Sequence, residues 1–403
     1  MIEIQLLHHK SLKWTDYLLQ YTQLKNLVHS GLVSTSVGKL PDSDTSTFAD
    51  LPEAVRRLMF FGKPDVVVCL DDGVNPVRPF FALDVTEHAA ARDHWMQRFP
   101  NLVGCAQEGV PGVFVSPGDT PNRNNFAGSA QPDFFFAFDR VIEIHQTPLY
   151  IAEWPSTDGS TLDRDSHFTD LPPHDAESIA RALTFFNLVL DSAMRGREFA
   201  ALMQERLVVE LRNELRKVGY RQVPAIADYG RLTANMPDNR FLTHVEMIAW
   251  LSGIGLRMPS KLPDRIGKRD QYLIYTPRVT NETTAARRLA MLKRIKEKGG
   301  DPYGAQPLAF DYLFCRLGPS PLQRDVNVVV DLSFFSLADF ASWVKKTWAN
   351  SPLKEDTFPA LRSKMAVYSM HLSEPLVQVM KNYIRWQIFS ADLIVFSDGV
   401  LVL

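Results

Sequence analysis

Apolar and polar positions change rhythm several times along this chain, and each rhythm predicts an element. From Trp14 to Val33 the apolar residues recur at helical spacing, whereas Ser34 to Thr47 is a polar stretch expected to form a loop. A second helix is expected over Leu51 to Phe61, with Glu53 in its first turn. After Lys63-Pro64-Asp65 comes an unbroken apolar run, Val66-Val67-Val68-Cys69-Leu70, and then a strand-like segment from Phe80 to His88. Between them Asp71-Asp72-Gly73-Val74-Asn75-Pro76 has the composition of a turn, so a hairpin is the simplest connection. His88 to Glu108 reads as a helix ended by Gly109, and Val113-Phe114-Val115 as a third strand. Helix, strand, strand, helix, strand is an order that suits a mixed α/β core with helices on both faces of the sheet.

Gly118 to Gln131 is polar and rich in turn formers, too long for a tight connection and therefore a candidate functional loop. Phe134 to Phe138 and Val141 to Glu153 read as two more strands. Asp175 to Arg195 reads as an amphipathic helix, and Glu198 to Val218 as a long one. Past Gly219 the chain becomes more polar and its segments shorter. A basic helix is expected over Ala285 to Lys298, a strand at Val326 to Leu332, helices near Leu337 to Trp348 and Glu374 to Ser390, and a closing strand at Leu393 to Leu403.

Length and composition frame these elements. A chain of 403 residues is long for a single core and points to two domains, taken as residues 1–219 and 220–403, the second of α+β type. With 45% hydrophobic and 22% charged residues it has the make-up of a soluble globular protein. Cys69, Cys105 and Cys315 show no CxxC or Cys/His pairing, which argues against a disulfide framework or a structural zinc site. No stretch has the apolar length of a membrane span, and Met1 to Lys13 lacks the layout of a signal peptide, so a cytoplasmic protein is expected. A net charge of −2 means that any nucleic-acid-binding surface must be local.

The two apolar strands each carry an acid toward one end of a small sheet: Asp65 at the entry of the first and Asp84 near the end of the second. Hard carboxylate oxygens on neighbouring strands can hold a divalent cation against a phosphate. Glu53, on the preceding helix, could help hold or neutralise it.

This layout resembles the PD-(D/E)XK nuclease superfamily, which includes many restriction endonucleases. There a helix bearing an acid precedes a Pro-Asp strand and then an acid-X-Lys strand. The resemblance covers roughly residues 50 to 117, about a sixth of the chain, including the helix around Asp93-His94-Trp95-Met96-Gln97-Arg98-Phe99 and the strand after it. It implies a restriction-endonuclease-like core in which Asp65 and Asp84 bind Mg2+ or Mn2+, with the Val85 carbonyl as a further ligand. It also implies a Gln or Arg of the following helix facing the site, the place of Gln97 or Arg98. One departure stands out: Asp84-Val85-Thr86 has a threonine where the family has lysine. A hydroxyl can hold a water but brings no positive charge, so Lys63, His88 or Gln97 would have to supply part of that function.

The expectation is a metal-dependent endonuclease of restriction type acting on double-stranded DNA as a homodimer, with a carboxy-terminal recognition or dimerisation domain. Arg287, Arg288, Lys293 and Arg294 of the basic helix, with Lys261, Arg265, Lys268 and Arg269 before it, are the candidate phosphate contacts. The alternative is a nuclease scaffold without catalysis, serving as a DNA-binding or assembly subunit. Plainer roles stay open. Asp84 could pair with Arg56, Arg57 or Arg78, Glu53 could serve the helix dipole, and the basic helix could be a solvated face with Leu289, Leu292 and Ile295 inward. A second acid-strand-acid arrangement, Pro132-Asp133 with Glu143-Ile144-His145, ranks behind the first.

Overall fold

A computed structural model describes residues 2–9, 11–41, 50–59, 62–87, 92–117, 132–154, 171–222, 239–276, 286, 290, 306–320, 322–333, 336 and 390–403. The chain divides into two units, Met1–Pro224 and Ala225–Leu403, each a mixed α/β arrangement around its own mixed sheet. Among the described residues no helix is long and apolar enough to cross a membrane.

The first unit is built on six strands: β1 (Ile2–His8), β2 (Val33–Lys39), β3 (Val66–Asp71), β4 (Arg78–Val85), β5 (Gly112–Pro117) and β6 (Leu149–Trp154), in the spatial order β2-β1-β3-β4-β5-β6. β3 runs antiparallel to both β1 and β4, while β4, β5 and β6 are mutually parallel neighbours. The β3–β4 pair is the expected hairpin, with Val66 opposite Leu83 and a register shift at Val68/Cys69. Past the shift Cys69 faces Pro79, which has no N–H to give the ladder, and a bulge accommodates such a residue.

Strand alternation assigns the faces. Val67 and Cys69 of β3 and Ala82 of β4 pack with Val55 and Leu58 of α3 (Glu53–Leu58) and with Cys105 of α4 (Arg92–Gln107). Phe81 points the other way, 4.8 Å from the ring of Phe186 on a helix spanning Glu177–Met194. Helices therefore cover both faces. Asp84 lies two residues beyond Ala82 and so shares the face covered by α4.

Several expected elements differ. The single helix over Trp14 to Val33 is two, α1 (Lys13–Tyr21) and α2 (Leu24–His29), interrupted where Thr22 is extended and its hydroxyl donates to the Leu18 carbonyl. The polar stretch after it contains β2, whose Ser, Thr and Gly content conceals a strand that pairs with β1 along seven residues. The strands expected at Phe134–Phe138 and from Val141 are instead α5 (Pro132–His145), with only Leu149–Trp154 extended. Phe135, Phe136, Ala137, Phe138, Val141 and Ile142 are all buried. A short run that is apolar on every side does not distinguish a buried strand from a buried helix. The helix expected over Asp175 to Arg195 is α6 (Glu177–Met194), but the long helix from Glu198 breaks at extended Glu205 into a 3-10 turn over Phe199–Gln204 and α7 (Arg206–Gln222).

The second unit has the sheet order β11-β10-β9-β8-β7, with β7 at Asn239–Thr243, β8 at Gln271–Tyr275, β9 at Val326–Leu332, β10 at Leu393–Phe396 and β11 at Gly399–Val402. The central three are parallel, and both edge strands run antiparallel to their neighbours. The expected closing strand is thus a hairpin. Its core joins Met247 and Leu251 of a helix over His244–Gly253 to Tyr272, Ile274, Val329, Leu393 and Val395. That helix starts on a capping box in which Thr243 and Glu246 satisfy each other's backbone N–H groups. The helices expected at Leu337–Trp348 and Glu374–Ser390, most of the basic helix, and the loop over Gly118–Gln131 lie outside the described residues.

Candidate active site

Asp65 precedes the first residue of β3, and its Oδ2 accepts the N–H of Val85 on β4 at 2.8 Å. The entry of one strand is thereby tied to the exit of its antiparallel neighbour, which brings the Asp65 and Asp84 carboxylates together. Residues 98, 101 and 105 of α4 are spaced three and four apart and so share one face of the helix. That face covers the acids. Nη1 of Arg98 is 3.2 Å from Oδ1 of Asp84 and 3.4 Å from Oδ2 of Asp65, and Nδ2 of Asn101 donates to Oδ2 of Asp84 at 3.0 Å.

Asp84 is fully buried and Asp65 nearly so, at 14% side-chain exposure. Burial drives the Asp84 carboxyl well above the usual carboxylate range; Arg98 opposes the rise, and Asp65 adds to it by its charge and by carboxyl–carboxyl contact. One guanidinium thus serves two carboxylates.

Asn101 also donates to the Lys63 carbonyl at 3.3 Å, which ties α4 to the segment that presents Asp65. Its placement depends on Gly62, where a β-carbon would fall 1.7 Å from Oδ1 of Asn101. Sequence reasoning missed both residues. The signal for Asn101 was its position one helical turn after Arg98, and for Gly62 its place just before Lys63-Pro64-Asp65.

The other named residues are distributed as follows. Thr86 is buried, and its N–H continues the β4–β5 ladder by donating to the Val115 carbonyl at 2.9 Å. Glu53 opens α3 with its side chain largely exposed. It pairs with Arg57 at 3.9 Å, and Arg57 binds Glu108 at 2.6 Å. Among the described residues Glu53 has no contact with either aspartate. Lys63 donates its ammonium to the Pro41 carbonyl. Gln97 lies on α4 with its side chain outside what is described, and His88 is outside altogether. Of the arginines offered as partners for Asp84, Arg57 is held by Glu108 and Arg78 donates to the Ala193 carbonyl; Arg98 is the partner found.

The second acid arrangement does not form across two strands, because Pro132, Asp133, Glu143 and His145 all lie on helix α5. Glu143 there pairs with Arg140. In the second unit Lys268 is exposed beside Asp264, but Arg269 is buried, donating to Asn327, Asp392 and the Leu322 carbonyl. A guanidinium so committed is unable to track a phosphate backbone. Arg265 caps the Leu403 carbonyl. Arg287, Arg288, Lys293 and Arg294 lie outside the described residues.

No group of three or more His, Cys, Asp and Glu side chains arranged to hold a metal occurs among the described residues. The donors present are hard oxygens from two carboxylates in mutual contact with a cationic nitrogen between them. They fit a magnesium-type ion, which binds through one or two carboxylates and keeps several waters, once that nitrogen moves aside. Comparisons with known protein families, curated proteins and solved structures found no match to this chain.

Proposed function

We propose that the amino-terminal unit is a metal-dependent endonuclease core hydrolysing phosphodiester bonds of double-stranded DNA, in the manner of the PD-(D/E)XK superfamily and of restriction type. The observation that carries this reading is the meeting of Asp65 and Asp84 around a single cationic nitrogen at one end of an antiparallel strand pair. The order of elements supports it: α3, antiparallel β3 and β4, α4, then β5 parallel to β4. That is the order on which the resemblance rests.

In this reading Asp65 and Asp84, with the Val85 carbonyl, hold Mg2+ or Mn2+. The bound ion supplies positive charge to the phosphate and lowers the pKa of a water. Arg98, once free of the acids, faces the phosphate, where a planar guanidinium matches two oxygens at once. Thr86 contributes a hydroxyl and no charge, and Glu53 at the start of α3 pairs with Arg57 in its last turn. The carboxy-terminal unit would serve recognition or dimerisation, with Lys268 and the basic segment Arg287, Arg288, Lys293 and Arg294 as phosphate contacts, and the protein would act in the cytoplasm as a homodimer.

A second reading is favoured by a specific observation. Arg98 and Asn101 already engage both oxygens of Asp84, and no lysine stands at position 86. A nuclease scaffold with its charge balanced internally would bind DNA or a partner without cutting.

Incubation of plasmid and genomic DNA with Mg2+ or Mn2+, wild type beside Asp84→Ala, separates the two. The nuclease reading expects discrete metal-dependent fragments that the variant does not produce. DNA binding without cleavage under either metal would transfer the conclusion to the non-catalytic subunit.

A further inference from the structure

Two neighbouring carboxylates taken out of water repel each other unless a cation or a proton lies between them. Here the cation is supplied by the fold. Nη1 of Arg98 reaches one oxygen of each acid, at 3.2 and 3.4 Å. Two further contacts hold the acids in place without neutralising them: the Val85 N–H on Asp65 and the Asn101 amide on Asp84. Lys13 is no substitute, since it pairs with Glu87. Arg98 itself retains 24% side-chain exposure, whereas Asp84 has none.

We infer, on the footing of the metal-dependent reading above, that Arg98 is a resident counter-ion which must withdraw before a divalent cation binds Asp65 and Asp84. It keeps the acids paired when no cation is present, and the strength of its hold sets the concentration of cation the site requires. Magnesium affinity is then limited by the guanidinium on α4 as well as by the number of acids.

The test is binding of Mn2+ alone, without DNA, measured by titration calorimetry on the full-length wild type, Arg98→Gln, Arg98→Lys and Asp84→Asn. A neighbouring opposite charge lowers a carboxylate's affinity for a proton by about 1–3 pKa units, and competition with a metal has the same origin. Arg98→Gln is therefore expected to bind Mn2+ about tenfold more tightly than wild type, or better. Arg98→Lys, whose compact and strongly hydrated ammonium bridges two acids less well, should fall between them. Asp84→Asn should lose the site.

Should Arg98→Gln fail to fold, the lysine variant decides by the same comparison. Equal or weaker Mn2+ binding in the folded Arg98 variants, with Asp84→Asn still abolishing it, would overturn the counter-ion role and leave the metal site standing. Absence of Mn2+ binding in every variant would overturn the metal-dependent reading and the counter-ion role with it.

Discussion

Asp84 in the first unit and Asp311 in the second are both fully buried aspartates beside arginine, yet their carboxyls are shifted in opposite directions. Asp311 accepts from Arg316 Nε at 2.7 Å and from Arg324 Nε at 2.6 Å and Nη2 at 2.8 Å. Burial pushes its carboxyl up, but the two guanidiniums outweigh this and hold it below the usual carboxylate range. Asp84 shares one guanidinium with Asp65 and ends above that range. The same ingredients give an ion pair with surplus positive charge in one place and a carboxylate pair short of a cation in the other. The first arrangement closes a structure, joining the segments before β8 and β9 to Asp392, just before β10, through Arg269 and Arg324. The second leaves a demand for charge, which is how functional sites tend to be built.

The contrast can be broken most forcefully at Asp311. Asp311→Asn would strip two buried guanidiniums of their principal carboxylate and should cost the second unit about 3–5 kcal/mol, read by denaturant unfolding. An effect below about 1 kcal/mol would remove the distinction.

The matching change in the first unit should have the opposite sign. Asp84→Asn leaves Arg98 paired with Asp65 and relieves the excess of negative charge, so stability at neutral pH is expected to rise by about 1–2 kcal/mol while metal binding is lost. A gain in stability on removing a site residue would mark Asp84 as retained for function.

Acidity sharpens the comparison without mutation. The folded value for Asp311 lies below its ordinary 3.8, so its contribution is present above that pH and is lost as pH falls through the folded value. For Asp84 the folded value lies above 3.8, so its contribution is present at low pH and is lost as pH rises through the folded value. Amide exchange should therefore show β3 and β4 losing protection as pH rises from acid, and β9 losing it only as pH falls into acid. Loss of protection in both sheets together would contradict this.

An effect no larger than that at Asp84 is expected at Gly62. Gly62→Ala would displace the Asn101 amide from Asp84 and from the Lys63 carbonyl, costing about 1–2 kcal/mol in thermal or denaturant unfolding.

Much of the first unit's central hairpin was legible because its signals agree. Val66 to Leu70 is apolar throughout, as suits a strand buried on both faces, and Asp71 to Pro76 is turn chemistry. Asp65 and Asp84 could be paired on paper because a hairpin brings the entry of one strand beside the exit of the next. The partner of Asp84 could not be chosen from sequence spacing alone, since several arginines flank it; the resemblance pointed to Gln97 or Arg98 as facing the site, and the crossing of α4 over β4 brings Arg98 to Asp84. Helix α5 was misread because aromatic residues favour strands locally while tertiary burial decides for the helix. β2 was passed over because an edge strand needs few apolar residues. The buried role of Arg269 was hidden for a related reason: in sequence a cation among cations looks like surface, and its acid, Asp392, lies 123 residues away.

The register shift between β3 and β4 has a consequence for how this hairpin tolerates change. Opposite Val68 stands Phe81, but opposite Cys69 stands Pro79, so Phe80 is the surplus residue. Alternation along β4 is thereby reset between the turn and the acid. Insertions or deletions toward the turn can be absorbed at that point, while Ala82 and Asp84 keep their facing under α4. The hairpin carries its own expansion joint, which separates the half bearing the paired acids from the half next to the turn.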